Sequence, residues 1–154
     1  MELDQAQKIA DEVVKRLSPF CKRIEVAGSI RRKKPLVRDI DLIIILSDPW
    51  NLHQAIMSLG QVTHQGGKIQ RVLFNGIQID IYFATTETWA TLLLIRTGSK
   101  ENNIRLCTHA KNMGWHLSAS GDGLFDKSGN RIAGDTEESI FKALGLPYQN
   151  PEDR

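Results

Sequence analysis

Asp39 and Asp41 stand two residues apart in an otherwise apolar run, Asp39-Ile40-Asp41-Leu42-Ile43-Ile44-Ile45. A strand that sets Ile and Leu against a core does not bury unpaired carboxylates, because an ion in a low-dielectric site without a partner costs several kcal/mol. These acids therefore need a cation. In a strand, residues i and i+2 share a face, so the two carboxylates converge while Ile40 and Leu42 point the other way. Such a pair suits a hard metal ion. Just upstream, Val26-Ala27-Gly28-Ser29-Ile30-Arg31-Arg32 offers a glycine-serine turn followed by guanidinium groups. Backbone N–H groups, a hydroxyl and an arginine fork together suit a phosphate. Each fragment taken alone is a common surface feature; in this order they describe a site for metal plus polyphosphate.

A third acid is offered further on. Lys68 to Phe74 and Ile77 to Phe83 are two β-rich runs separated by Asn75-Gly76, the strongest short hairpin signal in a sequence. In the second arm Ile77, Ile79, Ile81 and Phe83 alternate with Gln78, Asp80 and Tyr82, which gives one apolar face and one that carries a single acid. The plain reading of Asp80 is a solvated residue on an edge strand. Beside the upstream motif it becomes the candidate third carboxylate, standing with Asp39 and Asp41.

The elements that must position these groups follow from periodicity. Ala6, Ile9, Ala10, Val13, Val14 and Leu17 recur at helical spacing, with Asp4 as the expected cap and Ser18-Pro19 as the stop. Strands are expected over Ile24–Ala27 and Ile40–Leu46, the latter apolar enough to be central in a sheet. Asp48-Pro49 opens a helix that Gly60 closes. From Thr88 the pattern is helical, breaks at Thr97-Gly98-Ser99 and resumes from Lys100 to Met113. Short β-like pieces follow at Trp115-His116-Leu117 and Gly123-Leu124-Phe125. Asp135 and Thr136 are expected to cap a last helix, and the tail from Pro147 has no regular pattern. The stretch 84–88 reads as a hinge, giving expected subdomains over 1–87 and 88–154.

Composition sets the outer bounds. A chain of 154 residues, 41% hydrophobic and 25% charged, is ordinary for a water-soluble globular protein. No run approaches the roughly 20 apolar residues a membrane span requires, and the N-terminus lacks the form of a signal peptide, so no membrane partner and a cytoplasmic location are expected. Cys21 and Cys107 lie far apart without metal-ligand spacing and read as reduced thiols. The formal net charge of +2 leaves any nucleic-acid affinity to local basic patches, the densest running through Lys22, Arg23, Arg31, Arg32, Lys33, Lys34 and Arg38.

The Gly28-Ser29 turn followed by Asp39-Ile40-Asp41 resembles the nucleotidyltransferase signature, and Arg32 with its short basic loop narrows the resemblance to DNA polymerase family X. Thr97-Gly98-Ser99 through Asn103 is similar to the start of the thumb in bacterial-type members. Gly123 to Asp126, Arg131 to Gly134 and Ala143 to Tyr148 are similar to its remainder. The resemblance implies an α+β fold: a nucleotidyltransferase palm with a mixed or antiparallel sheet flanked by helices, then a small α/β thumb. It covers nearly the whole chain, and nothing in it corresponds to the lyase, fingers or phosphoesterase domains of larger members.

By that resemblance Asp39, Asp41 and Asp80 are the catalytic and metal-binding acids, holding two magnesium ions for which manganese can substitute. Gly28, Ser29 and Arg32 bind the triphosphate, Gly98 approaches the incoming sugar and Asn103 the incoming base. Lys68, Gln78 and Arg105 are the implied DNA contacts. The implied activity is template-directed DNA synthesis at a primer 3′ end in short gaps, as in DNA repair, with deoxynucleoside triphosphates and gapped or primed DNA as partners and the protein a monomer. Three departures stand out. The aromatic pair usual before Thr-Gly-Ser is Ile95-Arg96 here, which bears on sugar selection. An arginine usual two residues after the third acid is Tyr82. The arginine that often contacts the templating region falls on Cys107, with Arg105 as its nearest replacement. The Asn75-Gly76 turn leaves no room for the long loop of template-independent members. The alternatives are another nucleotidyltransferase acting on RNA ends or a small molecule, and a DNA-binding relative without catalysis.

Overall fold

The computed structural model describes all 154 residues, and they divide into two compact units, Met1–Ala84 and Thr85–Arg154. The fold is α+β, with a mixed sheet flanked by helices.

In the first unit, helix α1 (Leu3–Leu17) leads through a 3-10 turn at Ser18–Phe20 into β1 (Cys21–Val26), and the short α2 (Gly28–Arg31) leads to β2 (Ile40–Leu46). Helix α3 (Pro49–Leu59) is followed by β3 (Gln61–Gln65), β4 (Ile69–Phe74) and β5 (Ile77–Phe83). The strands form one five-stranded sheet in the order β1-β2-β5-β4-β3. Strands β2 and β5 run parallel and the other pairs antiparallel. β5, which carries Asp80, is thus the middle strand; the edge-strand reading of that acid is wrong.

One face of this sheet makes the core. Ile40, Leu42 and Ile44 of β2, Ile79 and Ile81 of β5, and Val72 and Phe74 of β4 pack with Ala6, Ala10, Val13 and Leu17 of α1 and Leu52, Ile56 and Leu59 of α3. Period-2 burial on the strands meets period-3.6 burial on the helices, as the sequence pattern requires. Because every second strand residue is committed to that core, Asp41, Gln78, Asp80 and Arg71 are left for the opposite face.

Two local expectations are corrected. Asp4 does not cap α1: the helix starts at Leu3 after Glu2, and the Leu3 N–H donates to Pro35 O at 3.1 Å. Asp4 instead lies in the first turn, where its charge complements the helix dipole. The polar β3 had no sequence signal of its own; it exists because the Asn75-Gly76 hairpin leaves an edge on β4, and Val62↔Val72 and His64↔Arg71 pair along that edge.

The second unit contains α4 (Trp89–Thr97), α5 (Lys100–Asn112), a small sheet of β6 (His116–Leu117), β7 (Leu124–Phe125) and β8 (Arg131–Ala133), and α6 (Glu137–Ala143). Leu94, Ile95, Leu106, Ala110, Leu117, Leu124, Ile140, Phe141 and Leu144 form its core. Thr136 alone caps α6, accepting from the Ser139 N–H at 3.0 Å, while Asp135 pairs with Arg131 at 2.7 Å. The tail is not patternless: Pro151–Asp153 makes a 3-10 turn that sends Arg154 inward, where its Nη1 donates to Glu137 Oε2 at 2.7 Å.

Candidate active site

The site face of the first sheet carries one row of side chains running across the strands. Asp41 of β2 is the register partner of Asp80 of β5, and Asp80 is in turn the partner of Arg71 of β4. Residues directly paired on neighbouring strands point to the same face, so two carboxylates and a guanidinium are lined up side by side. Like charges placed opposite one another destabilise a sheet, and Asp80 is only 6% exposed. The cost is offset locally. Arg71 Nε donates to Asp80 Oδ1 at 2.7 Å, and Gln78 Nε2 donates to Oδ1 and Oδ2, both at 3.2 Å. The hydrogen bond to Asp80, reinforced by the Asp80 charge and more weakly by Asp39, holds the Arg71 pKa above its ordinary value.

Asp39 stands just ahead of β2, half-buried, with Asp41 two residues on. Asp41 is locked from the other side: the Ala27 N–H donates to Asp41 O at 2.8 Å, and Gly28 lies against its carboxylate. A Cβ on Gly28 would sit 2.1 Å from Asp41 Oδ2, and Gly28 has φ +61°, a conformation that side chains resist. The Gly-Ser turn thus touches the acid it precedes. Beyond it Arg32, half-buried, donates its N–H to Gly28 O at 3.1 Å, and Ser29 is half-buried with its carbonyl accepting from Lys34 N at 3.0 Å.

The structure brings Asp41 and Asp80 into one row, but no three His, Cys, Asp or Glu side chains are close enough together to hold a metal ion. The Asp80 carboxylate is itself taken up by Arg71 and Gln78. By donor chemistry the residues still fit a hard divalent cation, since all three candidates are carboxylates and the row has already recruited one positive charge.

In the second unit, Gly98 closes α4, donating to Leu94 O at 3.3 Å, and Ser99 Oγ caps α5 by accepting from Asn102 N at 3.3 Å. Asn103 Nδ2 donates to Ile95 O at 2.8 Å, which leaves Asn103 Oδ1 buried with no partner. Arg105 Nη2 bonds Asn102 Oδ1 at 3.2 Å and also Gln149 Oε1. Lys68 is exposed in the turn before β4. Neither cysteine is poised for chemistry: burial pushes the Cys21 thiol up to about 11 and also raises Cys107.

Arg71 was missed as a site residue, although the signal was present. A two-residue hairpin turn fixes the register of its arms, and counting outward from Asn75-Gly76 sets Arg71 opposite Asp80.

Residues 92–154 match the family model described as DNA polymerase beta thumb. The chain is 29% identical over 157 residues to the DNA polymerase/3'-5' exonuclease PolX of Bacillus subtilis (strain 168), covering 97% of this chain and 27% of that protein. It is 29% identical over 161 residues to DNA polymerase lambda of Rattus norvegicus, covering 82% of this chain and 28% of that protein. Against the Repair DNA polymerase X of African swine fever virus (isolate Tick/South Africa/Pretoriuskop Pr4/1996) identity is 26% over 174 residues, covering 100% of this chain and 99% of the viral protein. The chain therefore spans little more than a quarter of the first two relatives. A thumb model over most of its second unit, and three polymerase relatives aligned along most of its length, make the chain similar to the polymerases of DNA polymerase family X.

Proposed function

We propose that this chain is a template-directed DNA polymerase that adds deoxynucleotides to a primer 3′ end across short gaps, with its first unit as the palm and its second as the thumb. The observation that carries this reading is the parallel register of Asp41 against Asp80, with the Gly28-Ser29 turn packed on Asp41. Two acids face each other on central strands, an arrangement whose repulsion a bound cation relieves.

Asp39, Asp41 and Asp80 would hold two divalent ions, magnesium with manganese as a substitute. When bound, such ions neutralise the carboxylates, lower the pKa of a hydroxyl and screen charge on the attacking and leaving oxygens. The chain's own residues do the rest. Gly28 and Ser29 bring backbone N–H groups and a hydroxyl to the β- and γ-phosphates, and Arg32 adds a cation against the charge that gathers on departing pyrophosphate. Gly98 and Asn103 are the nucleotide contacts of the thumb, and Lys68 and Arg105 are DNA contacts. Gln78, proposed also for the primer, plays a second part, since its amide grips both Asp80 oxygens and fixes the carboxylate plane. The names of the relatives, two polymerases X and a polymerase lambda, one of them a repair enzyme, support this reading. No helix is long and apolar enough to cross a membrane. A cytoplasmic monomer working on primed or gapped DNA and deoxynucleoside triphosphates completes the proposal.

Labelled-nucleotide incorporation on gapped, nicked, recessed and single-stranded DNA tests it. Template-matched extension that is strongest on gaps is the expected result; template-independent addition, or none with any divalent metal, overturns it.

Two predictions arise here. Gly28→Ala will cost about 10²-fold in incorporation, because its methyl group must displace the Asp41 carboxylate and a misplacement of this order has that effect; single-turnover kinetics on gapped DNA measure it. Ile95 and Arg96 give the thumb no aromatic ring at the positions where the family selects the sugar, and Ile95 is instead core, 8% exposed. Rejection of ribonucleotides is therefore expected to be poor, no more than about 10²-fold, since without an added clash a lone hydroxyl is weakly discriminated. Matched kcat/KM values for deoxy and ribo substrates decide this, and a strong deoxy preference contradicts it.

A further inference from the structure

Arg71 is the only cation bonded to Asp80, and Asp80 is the only hydrogen-bond partner of the Arg71 side chain. The two side chains are unequal: that of Asp80 is 8% exposed and that of Arg71 43%. A buried carboxylate cannot stay charged alone, whereas a half-exposed guanidinium can return to water at little cost. Asp39 contributes to the field at Arg71 as well. The guanidinium thus sits where the candidate acids concentrate negative charge, which is where a divalent ion would be drawn. On its outer side the register partner of Arg71 is His64, and β3 (Gln61–Gln65) contains no acid. Once displaced, the guanidinium has no second carboxylate on that strand to recapture it.

We propose that Arg71 is the resident counter-charge of Asp80 in the metal-free palm, that divalent-cation binding expels its guanidinium, and that the expelled group takes a backbone phosphate of the primer. This rests on the polymerase reading of the site and adds a regulatory coupling to it. A cation and Arg71 compete for one carboxylate. A primer phosphate and Asp80 compete for one guanidinium, which holds Asp80 by a single Nε bond and to which phosphate offers a bidentate acceptor. Cation binding therefore raises primer affinity, and by linkage the primer raises cation affinity by the same factor.

The test uses the full chain and reads binding rather than turnover. Free Mn2+ is titrated by electron paramagnetic resonance, without DNA or nucleotide, against wild type, Arg71→Gln and Asp41→Asn. Arg71→Gln is expected to bind Mn2+ about fivefold more tightly, the lower end of ordinary coupling. The gain should persist in high salt, which removes a mere long-range field effect. In a second arm, the anisotropy of a labelled recessed duplex is followed with Ca2+ or with chelator. Wild type should bind DNA about fivefold more tightly with Ca2+, and Arg71→Gln should lose that gain. Unchanged Mn2+ affinity in Arg71→Gln, a gain that vanishes in high salt, or a Ca2+ effect that survives the substitution overturns the proposal. Asp41→Asn separates the two levels: if it weakens Mn2+ binding while Arg71→Gln does nothing, the metal site stands and the coupling falls. If Asp41→Asn binds Mn2+ like wild type, the metal reading itself fails.

Discussion

Asp80→Ala will reduce nucleotide incorporation on gapped DNA by about 10³-fold or more while leaving thermal unfolding within a few degrees of wild type. The size follows from what the side chain must supply: loss of one electrostatic group aimed at the reacting atoms costs about 10²–10³, and a metal ligand stands at the upper end or beyond. The intact fold follows from the row across the sheet. Truncating Asp80 removes a carboxylate that faces Asp41, so it relieves a repulsion. It leaves Arg71 unpaired, but that side chain is 43% exposed and is solvated where it stands. A buried acid whose loss costs function and spares stability is the signature of a residue kept for chemistry. Asp80→Asn sharpens the test, because an amide retains the shape and can still accept from Gln78. Metal-dependent incorporation that survives either substitution sinks the site assignment, and a large fall in stability would recast Asp80 as a structural ion-pair member.

Where sequence reached the structure, and where it did not, has a physical pattern. β2 and β5 begin and end where their apolar periodicity placed them, because Asp48-Pro49 and Asn75-Gly76 punctuate them with backbone chemistry that tolerates no alternative. Asn75 and Gly76 have φ +52° and +79°, as a tight hairpin turn demands. The parallel pairing of β2 with β5 could not be read in this way. It joins strands separated by a helix and two further strands, so no local turn sets its register; only the shared core of Leu42, Ile44, Ile79 and Ile81 does. The likeness to known polymerases supplied the expectation that Asp80 stands near Asp41, and the register is the physical fact beneath it. The hairpin register sets Arg71 opposite Asp80, but that Arg71 and Gln78 close their hydrogen bonds on its carboxylate depends on rotamers, which the sequence does not convey. β3 escaped notice for the opposite reason: Gln61, Thr63, His64 and Gln65 carry no hydrophobic alternation, and pairing with β4 alone makes them a strand.

Arg154→Ala will destabilise the second unit by about 3–5 kcal/mol, the cost of breaking a buried ion pair from one side. The tail shows no pattern in sequence, yet it ends in the most enclosed cation of the chain. The Arg154 side chain is 0% exposed, bonded to Glu137 Oε2 at 2.7 Å with Glu137 8% exposed, and its Nε donates to Gln149 O at 3.0 Å. Its guanidinium lies 5.4 Å from the Phe141 ring centre and 5.5 Å from that of Tyr148, and those rings meet edge to face. Glu137 opens α6 and Phe141 lies in the core of the unit, so one side chain ties the tail to the helix and to the packing beneath it. Removing it takes the paired cation from a Glu137 side chain that is only 8% exposed. Replacing both partners with apolar residues of similar volume, Arg154→Met with Glu137→Leu, should recover most of the loss, because the penalty belongs to the unpaired charge more than to the missing attraction. Denaturant unfolding can be followed in a Trp50→Phe background. Trp50 is 71% exposed and is the one tryptophan of the first unit, so the remaining signal comes from Trp89 and Trp115 of the second. A loss under about 1 kcal/mol for Arg154→Ala would mean that the pair is no stronger than a surface contact; a double variant no better than the single would mean that the aromatic stacking, not the charge, holds the tail.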